Sequence, residues 1–166
     1  MSSFTRDAAL LVAIFLPLAA GAADAPKRKS GLWEVTITSP QMGNRAMRIQ
    51  ECVDQKTDDM MEMDESMGEE MKCGKPNVRN EGGRLVVDAV CKVGKSTARA
   101  RTVFSGSFDS AYKADVKATY DPPLEGLREA TQVIEGKWLG PCKPGQKPGD
   151  VVIPGMPDNT KGMPKR

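Results

Sequence analysis

Four cysteines and a run of methionines are the side chains of this sequence with the most distinctive chemistry. The cysteines are Cys52, Cys73, Cys91 and Cys142. They are widely separated, whereas a four-cysteine zinc site normally contains paired C-x-x-C spacing. In an exported small domain, four cysteines are more typical of two disulfides, for which three pairings exist.

Two of the three disulfide pairings suit a sheet of consecutive strands. The favoured pairing joins Cys52 to Cys73 and Cys91 to Cys142, because strands that follow one another in a meander should be neighbours. The other pairing joins Cys73 to Cys91 across a hairpin at Gly82-Gly83, and Cys52 to Cys142. Both predict that the unfolded, unreduced chain contains no free thiol.

The methionines are candidate metal ligands because thioethers select Cu(I). Met60, Met63, Met67 and Met71 recur at intervals of three, four and four residues, which places them on one face of a helix. The same spacing lets an amphipathic helix bury an apolar stripe against a sheet, with methionine as a flexible filler. This second interpretation is preferred, and the sequence therefore predicts no cofactor and no metal.

Residues suited to catalysis are scarce in this sequence. The chain contains no histidine, which removes the commonest general base and the commonest zinc ligand. The sequence contains no G-x-S-x-G and no phosphate-binding glycine pattern. Its carboxylates concentrate in one acidic stretch, interpreted as a solvated face: Glu51, Asp54, Asp58, Asp59, Glu62, Asp64, Glu65, Glu69 and Glu70. We expect a protein that is not an enzyme.

The charge pattern also disfavours a nucleic-acid partner. Lysine and arginine number 24 against 22 aspartate and glutamate residues, and only 5% of residues are aromatic. Nucleic-acid binding favours a cluster of basic residues interleaved with stacking aromatics, and no such cluster occurs.

The elements that position these residues are mostly strands. In residues 31–38, Trp33, Val35 and Ile37 alternate with polar residues, which predicts a half-buried strand with Trp33 on its inner face. A turn at residues 40–43 leads to a second strand over residues 45–52. Residues 54–71 then predict one short helix, because Thr57 can cap it and acidic residues suit its first turn.

Period-two alternation returns after Cys73 and predicts the remaining strands. They cover residues 73–80, 84–93, about 98–104, about 112–120 and 129–139, with Asp121-Pro122-Pro123 ending the fourth of them. About seven strands with short turns make an antiparallel meander. Small inward alanines favour a curled sheet or open barrel over a flat sandwich; they are Ala98, Ala100, Ala114 and Ala118.

The two ends of the chain have a different character from this β domain, which spans residues 30–143. Residues 1–22 carry an apolar run and end in an A-x-A site, which predicts a cleaved signal peptide and a periplasmic mature protein without a transmembrane segment. No cysteine near the site would accept a lipid anchor. Prolines and glycines recur through residues 144–166, which predicts a disordered tail.

Several short motifs, in their order along the chain, resemble the DUF3617 family of exported bacterial proteins. They are GLWEVT from Gly31, ECVD from Glu51, a strand-closing Cys91, FSG from Phe104 with Tyr112 beyond it, and WLGPC ending at Cys142. The resemblance covers roughly residues 30–143. The chain departs from the family pattern at residues 54–56 and in its longer acidic, methionine-rich insert. The family has no known function, so the resemblance implies export and fold but transfers no catalytic residue.

Three hypotheses for function follow from the sequence. The first is a periplasmic binding or accessory module that holds a small apolar ligand in the concavity of the sheet. The second is a structural or envelope-interaction protein. The third is copper handling through the methionine thioethers. A bound lipid, a bound metal or neither in native mass spectrometry would distinguish them.

Overall fold

Nine strands in one antiparallel sheet account for most of the described chain. The computed structural model describes residues 26–43, 45–60 and 71–155. The strands are β1 (Gly31–Thr38), β2 (Ala46–Val53), β3 (Met71–Cys73), β4 (Asn77–Glu81), β5 (Arg84–Val93), β6 (Ser96–Gly106), β7 (Ala111–Leu124), β8 (Leu127–Gly140) and β9 (Val151–Val152). A 3-10 turn, Pro40–Met42, lies between β1 and β2.

The spatial order of the strands is β3-β5-β6-β7-β8-β1-β2-β9, and β4 pairs with β5 beside β3. The sheet is curled but does not close, which confirms the predicted fold class. The strand count exceeds the seven predicted, because Pro76 separates β3 from β4 and β9 was not anticipated.

Strands β5 to β8 form successive hairpins whose residues alternate between two faces. Gly82 and Gly83 have positive φ in the β4–β5 turn, where L side chains are disfavoured. The prediction that residues 121–123 end a strand is wrong. Strand β7 continues through both prolines to Leu124, with a register shift after Thr119, and turns at Glu125 and Gly126.

One face of the sheet, here called the inner face, carries the core. Its buried residues come from β1, β2, β5, β6 and β7, and β8 adds half-buried side chains. The buried members are Trp33, Val53, Val87, Phe104, Tyr112 and Ala114. Curling lets distant strands share this cluster, and the small Ala98 and Ala114 are both buried on the same face.

Trp33 lies at the centre of this core and is 0% exposed. Its indole N–H donates to the carbonyl of Lys29 at 2.8 Å, so the buried ring has the polar partner that it needs. The Tyr112 ring lies 5.7 Å from Trp33, centroid to centroid, and covers Gly136, its register partner on β8. A side chain at position 136 would overlap the Tyr112 ring, so a glycine is required there.

Two further predictions concern the segments that flank the strands. Most of the predicted helix, residues 61–70, lies outside the described residues. Residues 54–60 form turns and Met71 begins a strand, so a helix over the whole of residues 54–71 is wrong. The prediction of a disordered tail is wrong for residues 144–155, which include β9 paired with β2. Residues 156–166 lie outside the described part. The predicted signal peptide also lies outside it.

Candidate functional site

A groove of about 490 Å³ lies on the outer face of the sheet, the face opposite the core. A row of directly paired residues crosses β6, β7, β8 and β1 and lines it; in that order the row is Val103, Asp115, Val133 and Thr38. A second row, two residues along each strand, is Arg101, Lys117 and Thr131. A twisted sheet is saddle-shaped, so its convex face can be hollow along one diagonal.

The surface of the groove is mostly apolar. Val103 and Val133 contribute half-buried side chains, and Pro40 forms part of a wall. Pro40 is held there by the 3-10 turn, in which Ser39 is the N-cap and its hydroxyl accepts from the backbone N–H of Gln41. The volume lies in the range of small-molecule sites, which are mainly apolar with few polar groups.

Charged side chains around the groove are paired with one another. Arg101 contacts Glu81 at 2.9 Å and Asp88 at 3.6 Å. Lys117 lies 3.3 Å from Glu129, and in a third pair Lys113 lies 2.9 Å from Asp115. These pairs are exposed and contribute little to stability. Their effect is to leave the groove without an unbalanced charge.

Arg79 extends this charge network on the outer face. Hydrogen bonds to Asp88 and then to Glu81 raise the pKa of Arg79 above its usual value. The hydrogen bond from Arg79 lowers the pKa of Glu81. The cluster contains two arginines, Arg79 and Arg101, and two acidic residues, Glu81 and Asp88, so basic and acidic side chains are equal in number.

A second polar cluster is buried at one end of the core. The backbone N–H of Arg28 donates to Asp58 Oδ2 at 2.7 Å, and its Nη2 donates to Asp58 Oδ1 at 2.7 Å. Arg28 Nη1 also donates to Glu51 Oε2 at 2.8 Å. The side chains of Arg28 and Asp58 are only 7% and 3% exposed. This arrangement is a forked contact, which only the planar guanidinium can make.

The environment shifts two pKa values in this cluster. Burial opposes the charge of Arg28, but hydrogen bonds to Asp58 and Glu51 outweigh burial and raise its pKa. Burial raises the pKa of the Tyr112 phenol, with the nearby positive charge of Arg28 acting in the opposite direction. Arg28 thus stays ionised and Tyr112 stays neutral. Both carboxylates already have a partner, so the cluster is structural in character.

The sequence did not reveal this cluster. The whole acidic stretch was interpreted as a solvated face, which is wrong for Asp58 and for Glu51, whose side chain is 12% exposed. Arg28 is the middle of three consecutive basic residues just before the first strand, and nothing local distinguishes it from Lys27 and Lys29 or links it to a partner 30 residues away.

The disulfides join Cys52 to Cys142 and Cys73 to Cys91. The favoured pairing of Cys52 with Cys73 is therefore wrong, and the alternative is confirmed. The physical reason is that β2 and β3 are not neighbours, because β3 pairs with β5 at the opposite edge of the sheet. Cys73 and Cys91 are direct register partners.

Of the four methionines in the predicted helical stripe, the two that the structure describes, Met60 and Met71, do not lie in a helix. Met60 packs against the core, and Met71 lies in β3 opposite Val93. Met63 and Met67 lie outside the described residues. Met71 therefore cannot contribute a ligand to a copper site on one helix face.

The predicted ligand position also differs from the groove. The concavity was expected to hold a ligand, but aromatic side chains fill it around Trp33. The groove lies on the outer face, where valines interrupt a pattern of charged residues in β6 and β8. These outward-facing valines, such as Val103 and Val133, are the feature of the sequence that could have indicated the groove.

Two findings restrict other kinds of site in the described part of the chain. No three His, Cys, Asp or Glu side chains there are grouped so that they could hold a metal ion. Nor does any helix among these residues have the length and apolarity needed to cross a membrane.

Fold and site together define a small disulfide-bonded protein with an open, curled antiparallel sheet, a filled inner face and an apolar groove on its outer face. Residues 28–142 match the family model described as "Protein of unknown function (DUF3617)". Because the match covers more than half of the chain, the protein belongs to the DUF3617 family. Searches of curated proteins and of solved structures found no match.

Proposed function

We propose that this protein is an exported, non-catalytic binding module that holds a small apolar ligand in the outer-face groove. The observation that carries the proposal is the groove itself, in which valines and Pro40 line a space of about 490 Å³. Because the surrounding charges are paired with one another, the groove has no excess charge to attract an ionic substrate.

A non-catalytic role is supported by the chemistry of the polar groups. The chain has no histidine. The buried carboxylates Asp58 and Glu51 are held by Arg28, which keeps them from acting as bases. Tyr112 is enclosed by the core, and burial raises its pKa further above neutrality.

Export is supported by the signal-like residues 1–22 and by the two disulfides. Disulfides persist in oxidising compartments such as the bacterial periplasm. Intact-mass analysis of the expressed protein should give a chain that begins at Ala23 or Asp24. A mature protein that still carries Met1 would contradict export by cleavage.

The binding proposal is tested with a neutral naphthylamine dye whose fluorescence rises in apolar surroundings. The dye should bind saturably to the mature protein, and Val133→Glu should weaken binding at least about tenfold because it places a charge in the groove. Val90→Glu is the matched control, since Val90 lies on the outer face of β5, is 44% exposed and does not line the groove.

Native mass spectrometry of the mature protein, purified from its producing cells, provides the second measurement. A retained apolar molecule that is lost in Val133→Glu and kept in Val90→Glu would support the proposal. Dye binding that both variants leave unchanged, or no saturable binding at all, would overturn it.

A further inference from the structure

Within the part of the chain that the structure describes, strand β2 has a free edge next to the short strand β9. β9 pairs with β2 only at Gln50 and Glu51. Continuing that register would place Pro154 opposite Arg48, and proline has no N–H to donate to a neighbouring strand. Within the described residues, no strand therefore covers the part of this edge formed by residues 46–49.

The hydrogen-bonding groups of this edge can be assigned from the pairing. The N–H of Cys52 donates to Asp150, and its carbonyl accepts from Gly149, so both groups of Cys52 point away from β1. The β1–β2 register runs without a shift. Along β2, the backbone N–H and C=O groups of successive residues therefore point alternately toward β1 and away from it. Ala46 and Arg48 therefore present two N–H and two C=O groups to the free edge.

The side chains at the edge differ between the two faces. Met47 and Ile49 extend the inner-face rows, since Met47 pairs with Ile37 and Ile49 pairs with Val35. Met47 is 43% exposed, so the apolar row ends without a cover among the described residues. Arg48 lies on the outer face, and Arg45 precedes the strand. Neither side chain forms an ion pair within the described chain.

We propose that the free edge of β2, residues 46–49, binds an extended peptide segment in which apolar and acidic residues alternate. The backbone of the segment would pair with Ala46 and Arg48 as an added strand. Its apolar residues would cover Met47 and Ile49 on the inner face, and its acidic residues would face Arg48 on the outer face.

A second copy of the chain suits this edge less well. If two β2 strands paired antiparallel across residues 46–49, the Arg48 side chains of both copies would lie close together on one face. Like charges at such positions destabilise a strand pair. An arginine on a free edge thus discourages self-pairing and favours an acidic partner.

The test uses a capped hexapeptide that alternates glutamate and valine, together with the full mature protein. Hydrogen exchange should show that the amides of Ala46 and Arg48 become protected when this peptide is added. The amide of Met47 is already bonded to β1 and should change little. A peptide with alternate amides N-methylated should give no protection, because it cannot complete the ladder.

Charge reversal tests the specificity. Arg48→Glu should lower the affinity for the glutamate peptide at least about tenfold and raise the affinity for a peptide with lysine in place of glutamate. Arg99→Glu is the matched control, because Arg99 is an exposed outer-face residue of the interior strand β6. It should leave both affinities unchanged.

Three results would overturn the proposal. The first is no protection of Ala46 and Arg48 at saturating peptide. The second is equal binding of the glutamate and lysine peptides. The third is a dimer in sedimentation of the protein alone that Ala46→Pro converts to a monomer, which would show that a second copy occupies the edge.

Discussion

Arg28 joins three parts of the chain through one guanidinium. It precedes β1, and it contacts Glu51 on β2 and Asp58 in the segment after β2. Each of its partners would be a buried carboxylate without a counter-charge if the guanidinium were removed. Arg28 therefore stabilises the fold mainly because its removal would leave two carboxylates without a counter-charge, and less through the attraction within the ion pairs themselves.

Replacing Arg28 by methionine keeps much of its volume and removes the charge. We expect Arg28→Met to lower the free energy of unfolding by about 3–5 kcal/mol, the usual cost of breaking a buried pair. Urea denaturation followed by tryptophan fluorescence measures this. Lys117→Met is the control, because Lys117 pairs with Glu129 on the exposed surface and should change stability far less. Equal effects would contradict the buried cluster.

At the residue scale, the sequence predicted what local periodicity determines. Trp33 was assigned to the inner face from alternation alone, and it is fully buried there. The partners of Arg28 were not predicted, because Asp58 belongs to an acidic stretch in which no single carboxylate stands out. Asp58 becomes the partner of Arg28 only because of the path that the chain takes from β2 into the following turn.

At the scale of elements, hairpins were predicted and long-range pairings were not. Strands β5 to β8 follow one another in space as in sequence, so each alternating stretch finds its neighbour through a short turn. Strand β3 instead pairs with β5 at the far edge, and β9 returns to β2 from the end of the domain. No local pattern encodes either pairing, and the disulfide prediction failed for the same reason.

The two disulfides close loops of very different size. Their sequence separations are 90 for Cys52–Cys142 and 18 for Cys73–Cys91. In the chain-entropy model, the long loop contributes about 4–5 kcal/mol and the short loop about 3 kcal/mol. We expect the double alanine variant of Cys52 and Cys142 to lose more stability in urea than that of Cys73 and Cys91.

Peptide mapping without reduction is the control for that comparison. It should recover one linked fragment pair that contains Cys52 and Cys142, and another that contains Cys73 and Cys91. A fragment that links Cys52 to Cys73 would show that the solution pairing differs, and the stability comparison would then lose its basis.

At the scale of the whole molecule, the absence of histidine shapes the response to pH. Histidine is the side chain that normally titrates near neutrality, and this chain has none. The charges on the outer face are largely balanced, and Arg28 remains ionised throughout. Apart from Arg28, the buried group with a shifted pKa in the described part of the chain is Tyr112 in the core, and its effect on stability falls at alkaline pH.

The pKa of Tyr112 is raised by burial from its ordinary value of 10.0. For a group whose pKa is higher in the folded state, the associated stability is complete below the unfolded pKa and is lost as pH rises through the folded pKa. We therefore expect a nearly constant free energy of unfolding between about pH 6 and about pH 9, and a decline above about pH 10. Tyr112→Phe has no phenol to ionise and should decline less steeply. Urea titrations of both proteins across this range measure the difference, and parallel curves above about pH 10 would show that the buried phenol does not drive the alkaline loss.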